Sequence, residues 1–195
     1  MTLEAVIALI GFAFSSSITP GPNNLMLLAS GANFGYRRTI PHMLGISLGH
    51  MVMLSMVGAG LIGLFEMFPV LDTVMKTLSV AYLLFLSWKI ANAAPPAEGA
   101  APGEPLTFLQ AAAFQWVNPK AWFMALTAIS VYAPTRDVTT VLLVSLIFSA
   151  TNFPSINVWT LLGTQVRRWL DSPERLRAFN WTMASVLVAS LALIL

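Results

Sequence analysis

Apolar residues run in long blocks along this chain, separated by short polar intervals. The blocks cover residues 3–33, 39–64, 68–91, 106–133, 138–163 and 178–195. About 20 apolar residues are what a helix needs to cross a bilayer. The pattern therefore predicts an all-α integral membrane protein with six spans. The first block is too long for one straight helix. At 1.5 Å per residue it would reach about 45 Å, against a hydrocarbon core of about 30 Å.

Proline breaks stand in two corresponding blocks. Thr19-Pro20-Gly21-Pro22 breaks the first and Asn118-Pro119-Lys120 breaks the fourth. A proline inside a helix removes a donor and costs about 3 kcal/mol, and in lipid the freed carbonyls have no water to turn to. Threonine and asparagine are good N-caps, and proline suits the first helical position. Each break is thus expected to end one half-helix and start another, with free N–H groups and a partial positive charge at the new start. A simple kink is the bland reading of either break alone. Two breaks in corresponding spans favour a binding site for an anionic group such as a carboxylate. Asn152-Phe153-Pro154 is expected to break the fifth span.

An alanine-, proline- and glycine-rich stretch over 93–105 reads as a flexible linker. It divides the chain into two three-helix halves, 1–92 and 106–195. Basic residues then set the topology. Arg37, Arg38, Lys89, Arg167, Arg168, Arg175 and Arg177 fall on one side, and Lys76 and Arg136 on the other. The first group marks the cytoplasm, so the linker is cytoplasmic and both termini lie outside. Three spans per half place the halves in opposite orientations, which is the arithmetic of an inverted repeat.

Composition agrees with a membrane class. Of 195 residues, 57% are hydrophobic and 9% charged, where soluble domains carry about 25% charged residues. Mean hydropathy is +0.76. There is no basic stripe to suggest nucleic acid. Zero cysteines exclude disulfides and thiolate chemistry, and two histidines without carboxylate neighbours give no metal site. No phosphate loop, His-Glu-x-x-His or Gly-x-Ser-x-Gly motif points to an enzyme or a cofactor.

Few polar groups sit at depth. Lys120, near the middle of the fourth span, costs about 2.5–3.5 kcal/mol on insertion scales. It suits a carboxylate, or backbone carbonyls freed by Pro119. His50 titrates near neutrality in water and is a candidate proton carrier, or a neutral interhelical hydrogen-bonding group. Asn23, Asn24, Asn152 and Asn157 are candidates for a substrate amino group, or interhelical bonds. Gly45 and Gly49 form a small-xxx-small pair that permits close helix approach.

Ile18-Thr19-Pro20-Gly21-Pro22-Asn23, with Gly31, Gly35, Arg37, Gly45 and Gly49 after it, resembles the N-terminal signature of the lysine exporter (LysE/RhtB-type) translocator family. Asn118-Pro119-Lys120-Ala121 resembles the motif opening that family's second half. Trp159, Gly163, Arg167 and Phe179-Asn180 resemble its C-terminal stretch. The resemblance implies a bacterial inner-membrane exporter of amino acids or close derivatives, driven by the proton gradient, with six spans in two inverted halves and a homodimeric assembly. A membrane protein without transport activity and an ion exporter on a similar scaffold are the alternatives. The absence of embedded carboxylates argues against cation export and favours neutral substrates over lysine or arginine.

Overall fold

The computed structural model describes residues 1–61, 63, 67, 68, 70–93 and 103–193, without the side chains of Asp72 and Leu193. The expected linker falls mainly on 94–102, outside the described residues. So do 62 and 64 of the second expected span, 69 of the third, and 194 and 195 of the last. Every regular element among the described residues is helical.

Helix α1 spans Leu3–Ile18. Thr2 caps it, its hydroxyl accepting from the Ala5 N–H at 3.3 Å. Pro20 ends it, because the residue before a proline is driven out of the helical region, and Thr19 is extended at φ −63°, ψ 142°. Helix α2, Pro22–Phe34, follows at a bend of 59°. Gly35, at φ 79°, closes α2 and opens α3, Tyr36–Met56. That left-handed backbone favours glycine. α3 runs into a π-turn over Val57–Leu61. Helix α4 is Val70–Ala91.

In the second half, Thr107 and Gln110 form a reciprocal capping box at the start of α5, Phe108–Val117. Asn118 separates it from α6, Pro119–Tyr132. Helix α7, Val138–Val166, is 29 residues long. Helix α8 is Pro173–Ala189, capped by Ser172.

Two sequence expectations are corrected here. Thr19 is not the N-cap of the new half-helix. Its hydroxyl donates backwards to the Ser16 carbonyl at 2.8 Å, and Gly21 takes the N-cap position instead. Nor does Pro154 break the fifth span, because α7 continues through it. Packing against α1, α2 and α3 holds α7 along its length, and neighbouring helices let a membrane helix tolerate proline.

Three helical stretches are each long and apolar enough to cross a bilayer: Tyr36–Leu61, Thr73–Ala91 and Val138–Trp169. The bent pair α1–α2 makes a fourth candidate. α5 and α6, of 10 and 14 residues, fall short individually. So does α8, of 17 residues. Large apolar side chains such as Leu3, Ile7, Trp88, Leu109, Phe123 and Trp181 stand on the outer surface, where a lipid solvent accommodates them.

Between helices in lipid, close approach of backbones replaces the hydrophobic driving force. α2 lies against α7 at Gly31 and Gly163. A methyl group built on Gly31 would stand 2.3 Å from the Thr160 carbonyl oxygen, and one on Gly163 would stand 2.2 Å from that of Leu28. α3 lies against α5 in the same manner through Gly45 and Gly49, facing Phe108 and Ala112. The small-residue pair read from the sequence is thus a packing device. The breaks at residues 19–22 and 118 lie face to face, joined by Lys120 and by the Asn23–Gln115 pair.

Candidate functional site

The two breaks are tied together by Lys120. Its Nζ donates to the Thr19 carbonyl at 2.6 Å and lies 3.0 Å from Thr19 Oγ1 and 3.4 Å from the Pro20 carbonyl. The partners are the carbonyls of the first break, not those freed by Pro119. A cation at a helix C-terminus also complements the dipole. Gly21 leaves the path open, since a Cβ there would lie 2.8 Å from Lys120 Cδ.

The other stranded carbonyls at the end of α1 are satisfied by side chains too. Asn24 Nδ2 donates to the Ser17 and Thr19 carbonyls, both at 2.8 Å. Trp159 Nε1, from α7, reaches the Ile18 carbonyl at 3.1 Å. With Thr19 on Ser16 and Lys120 on Pro20, five consecutive carbonyls each find a side-chain donor. In a bilayer this is the condition for non-helical backbone to exist at depth.

The second break is closed differently. Asn118 Oδ1 accepts from the Lys120 N–H at 3.1 Å and so caps its own helix, α6, as the sequence predicts. Ser79 of α4 donates to the Val117 carbonyl, and Trp122 Nε1 to that of Trp116 at 2.7 Å. By contrast the start of α2 has no side-chain cap. Of the two half-helix starts, α2 therefore keeps its N–H groups free of side-chain acceptors.

Around these breaks lies a small polar cavity, walled by Gly21, Asn23, Asn24, Asn118, Lys120 and Asn152. Ser17, His50 and Gln115 complete its polar lining, with Ile46, Met124 and Ile156 as apolar wall. Asn23 and Gln115 exchange both hydrogen bonds of a reciprocal amide pair, at 2.8 and 3.2 Å, linking α2 to α5. The Asn152 side chain makes no hydrogen bond among the described residues and is buried. His50 Nε2 lies 3.3 Å from the Ala121 carbonyl, while Nδ1 has no partner among the described residues. Its ring meets Phe148 edge to face at 5.1 Å. The cavity measures about 20 Å³, room for roughly one water.

Not every expected residue lines this space. Pro20, Pro22 and Pro119 wall a wider groove of about 560 Å³, with Phe123, Val186 and Ser190, on which Gly21, Asn118 and Lys120 also border. Thr19 touches the site only through Lys120 and Asn24. Asn157 stands apart. It accepts from the Tyr36 hydroxyl and donates to the Phe153 carbonyl, so it joins α7 to α3 instead of lining the cavity.

Gln115 and Trp159 do most that the sequence reading missed. Gln115 is fully buried and lies three residues before Asn118, the one amide in an otherwise apolar turn. That position was its available signal. Trp159, though part of the family-like C-terminal stretch, gave no sign of this contact, since nothing local links an indole in α7 to a carbonyl 141 residues earlier.

The model of the LysE type translocator family matches residues 14–195, nearly the whole chain. The chain belongs to the LysE type translocator family. It is a multi-pass membrane transporter and not an enzyme. Similar relatives include the cysteine/O-acetylserine efflux protein of Klebsiella pneumoniae subsp. pneumoniae, 30% identical over 190 residues, covering 96% of this chain and 95% of that protein. The protein of the same description from Salmonella typhimurium is 28% identical over 159 residues, 80% of this chain and 81% of its own. That from Escherichia coli K12 is 27% identical over 170 residues, covering 86% and 87%. No solved structure matches this translocator.

Proposed function

We propose that this translocator is a secondary transporter that exports small neutral amino acids, of the cysteine and O-acetylserine type, from the cytoplasm across the bacterial inner membrane. The observation that carries this reading is the polar cavity where the two broken helices meet, with an uncapped helix start and one ammonium at its edge. The free N–H groups of α2 and the Lys120 ammonium converge on where a substrate carboxylate would sit. Asn152, whose amide is unspent, takes the substrate's amino end. Asn23 and Asn24 hold the wall in place through their existing bonds. His50, with one ring nitrogen unpartnered, is the proton carrier.

An amino acid does not fit a space for about one water. The conformation is accordingly the closed one, and loading requires the halves to part. In this reading α5–α6 and α8 also cross the bilayer. That gives six spans in two inverted halves, 1–92 and 106–195, with both termini outside and a homodimeric assembly. Pairing of the elements supports the repeat. α3 packs on α5 as α7 packs on α1, while α3 meets α7 and α4 meets α8. These pairings are the ones a twofold relation of the halves would make, although the extensive α2–α7 packing has only a light counterpart between α6 and α3. The positive-inside count supports the orientation.

The test is efflux of O-acetyl-L-serine from loaded vesicles carrying the purified protein and a proton gradient. Wild type is expected to release it, and Lys120→Ala at least tenfold more slowly with normal insertion. His50→Gln is expected to keep downhill efflux and lose gradient-driven uphill export. No release by wild type would remove the export reading. Full rates from Lys120→Ala would remove the site.

A further inference from the structure

A second cavity, of about 220 Å³, lies between α2, α3, α4 and the segment 103–106. Its polar wall is Ser30, Asn33, His42, Lys89, Asn92 and Glu104. It sits at the end of the molecule that carries Arg37 and Arg38. His42 is 1% exposed, and neither ring nitrogen has a hydrogen-bond partner among the described residues. One of those nitrogens must be a donor, and a buried donor left unmet is destabilising enough that native folds seldom keep one without a use. Lys89, half-buried on the same wall, has no hydrogen bond or ion pair among the described residues, and neither has Glu104.

A carboxylate in this space would accept from the Lys89 ammonium and from His42 together, in charge-assisted bonds. An ammonium on the same molecule would face Glu104. A cavity of about 220 Å³ is on the scale of a single amino acid. The cavity is aligned with the central one along α3. His42, Ile46 and His50 follow at intervals of four along one face of α3. The two histidines are about 12 Å apart along the axis. Ile46 lines the central cavity beside His50, and it packs with Leu27, Met43 and Ile156 in an apolar cluster at the intervening level.

We infer that this cavity is a second binding site for the same zwitterionic amino-acid class, a loading site from which substrate passes Ile46 to the centre; it rests on the export reading above. The cysteine-free chain allows a direct test. Asn92 is exposed at the cavity wall, so Asn92→Cys supplies a single thiol whose reaction with N-ethylmaleimide can be timed in detergent. Saturating O-acetyl-L-serine is expected to slow labelling at least threefold. Protection should survive Lys120→Ala, which disables the centre, and should disappear with His42→Leu and with Lys89→Gln. Lys89→Gln, at a half-buried position, answers the question if His42→Leu does not fold. Protection that vanishes in Lys120→Ala would mean an effect transmitted from the centre, and would overturn the second site. So would absent protection alongside normal vesicle efflux, an outcome that leaves export standing. If neither protection nor efflux is seen, both readings fall.

Discussion

At single residues, the fold turns on how stranded backbone carbonyls are met. Asn24 serves two of them, and Ser17's has no other side-chain donor. Asn24→Leu is therefore expected to destabilise the protein by about 1–3 kcal/mol, measured by denaturant unfolding in micelles. Equal stability would mean that the break is held elsewhere. The Asn23–Gln115 pair is a separate case, because each partner can be removed. A double-mutant cycle of Asn23→Ala and Gln115→Ala should give a coupling of about 0.6 kcal/mol and at most about 1.7, the range for interhelical hydrogen bonds in membranes. The sequence revealed Asn118 as a cap because its job is local, two residues from its acceptor's partner. Thr19 was misread for an equally local reason. Pro20 forces it extended, so it closes α1, and the following Gly-Pro moves the new start to residue 22. The role of Lys120 could not be read, since its carbonyl partners lie 100 residues away.

Helices and their contacts were more legible, because small residues at intervals of four announce close packing whatever the partner. Which helix fills the gap was not announced. Gly31→Ala or Gly163→Ala would push a methyl group into a carbonyl on the facing helix, and overpacking of this kind costs about 1–3 kcal/mol. A larger loss of melting temperature is expected for either than for Gly11→Ala, where a Cβ meets nothing within 4 Å. Pro154 is the instructive failure. A proline breaks a helix only when nothing else holds it, and α7 is packed from three sides. The start of α7 offers a pH test. Asp137 accepts from the Thr140 N–H at 2.9 Å and the Thr135 hydroxyl at 2.8 Å, and these bonds, that of Thr140 first, hold its carboxyl below the ordinary 3.8. A depressed carboxyl stabilises the fold above its unfolded pKa, and that contribution fades as pH falls through the folded one. The melting-temperature gap between wild type and Asp137→Ala should accordingly be full at neutral pH and shrink below about pH 4.

For the whole molecule, the open matter is the path through the membrane. Length and apolarity alone give three crossing helices, or four with the bent pair α1–α2. The six-span reading adds α5–α6 as a second broken span. Its 25 residues would reach about 37 Å if straight, enough for a core of about 30 Å. The two counts disagree about particular residues. If α5–α6 crosses, Thr2 and Arg136 are outside, while Asn92 and Arg168 are in the cytoplasm. If α5–α6 instead enters and returns, Arg136 joins Asn92 inside, and Arg168 emerges on the side of Thr2. The second arrangement would carry Arg167, Arg168, Arg175 and Arg177 to the outer face, against the bias that orients membrane proteins. Single-cysteine variants settle it, since the chain supplies no other thiol. With an impermeant maleimide on intact cells, Thr2→Cys and Arg136→Cys are expected to label, and Asn92→Cys and Arg168→Cys only after lysis. Labelling of Arg168→Cys in intact cells, with Arg136→Cys protected, would make the second break a re-entrant loop and dissolve the inverted repeat. The polar cavity would survive that result, because the bonds from Lys120 to Thr19 do not depend on which way α6 leaves the membrane.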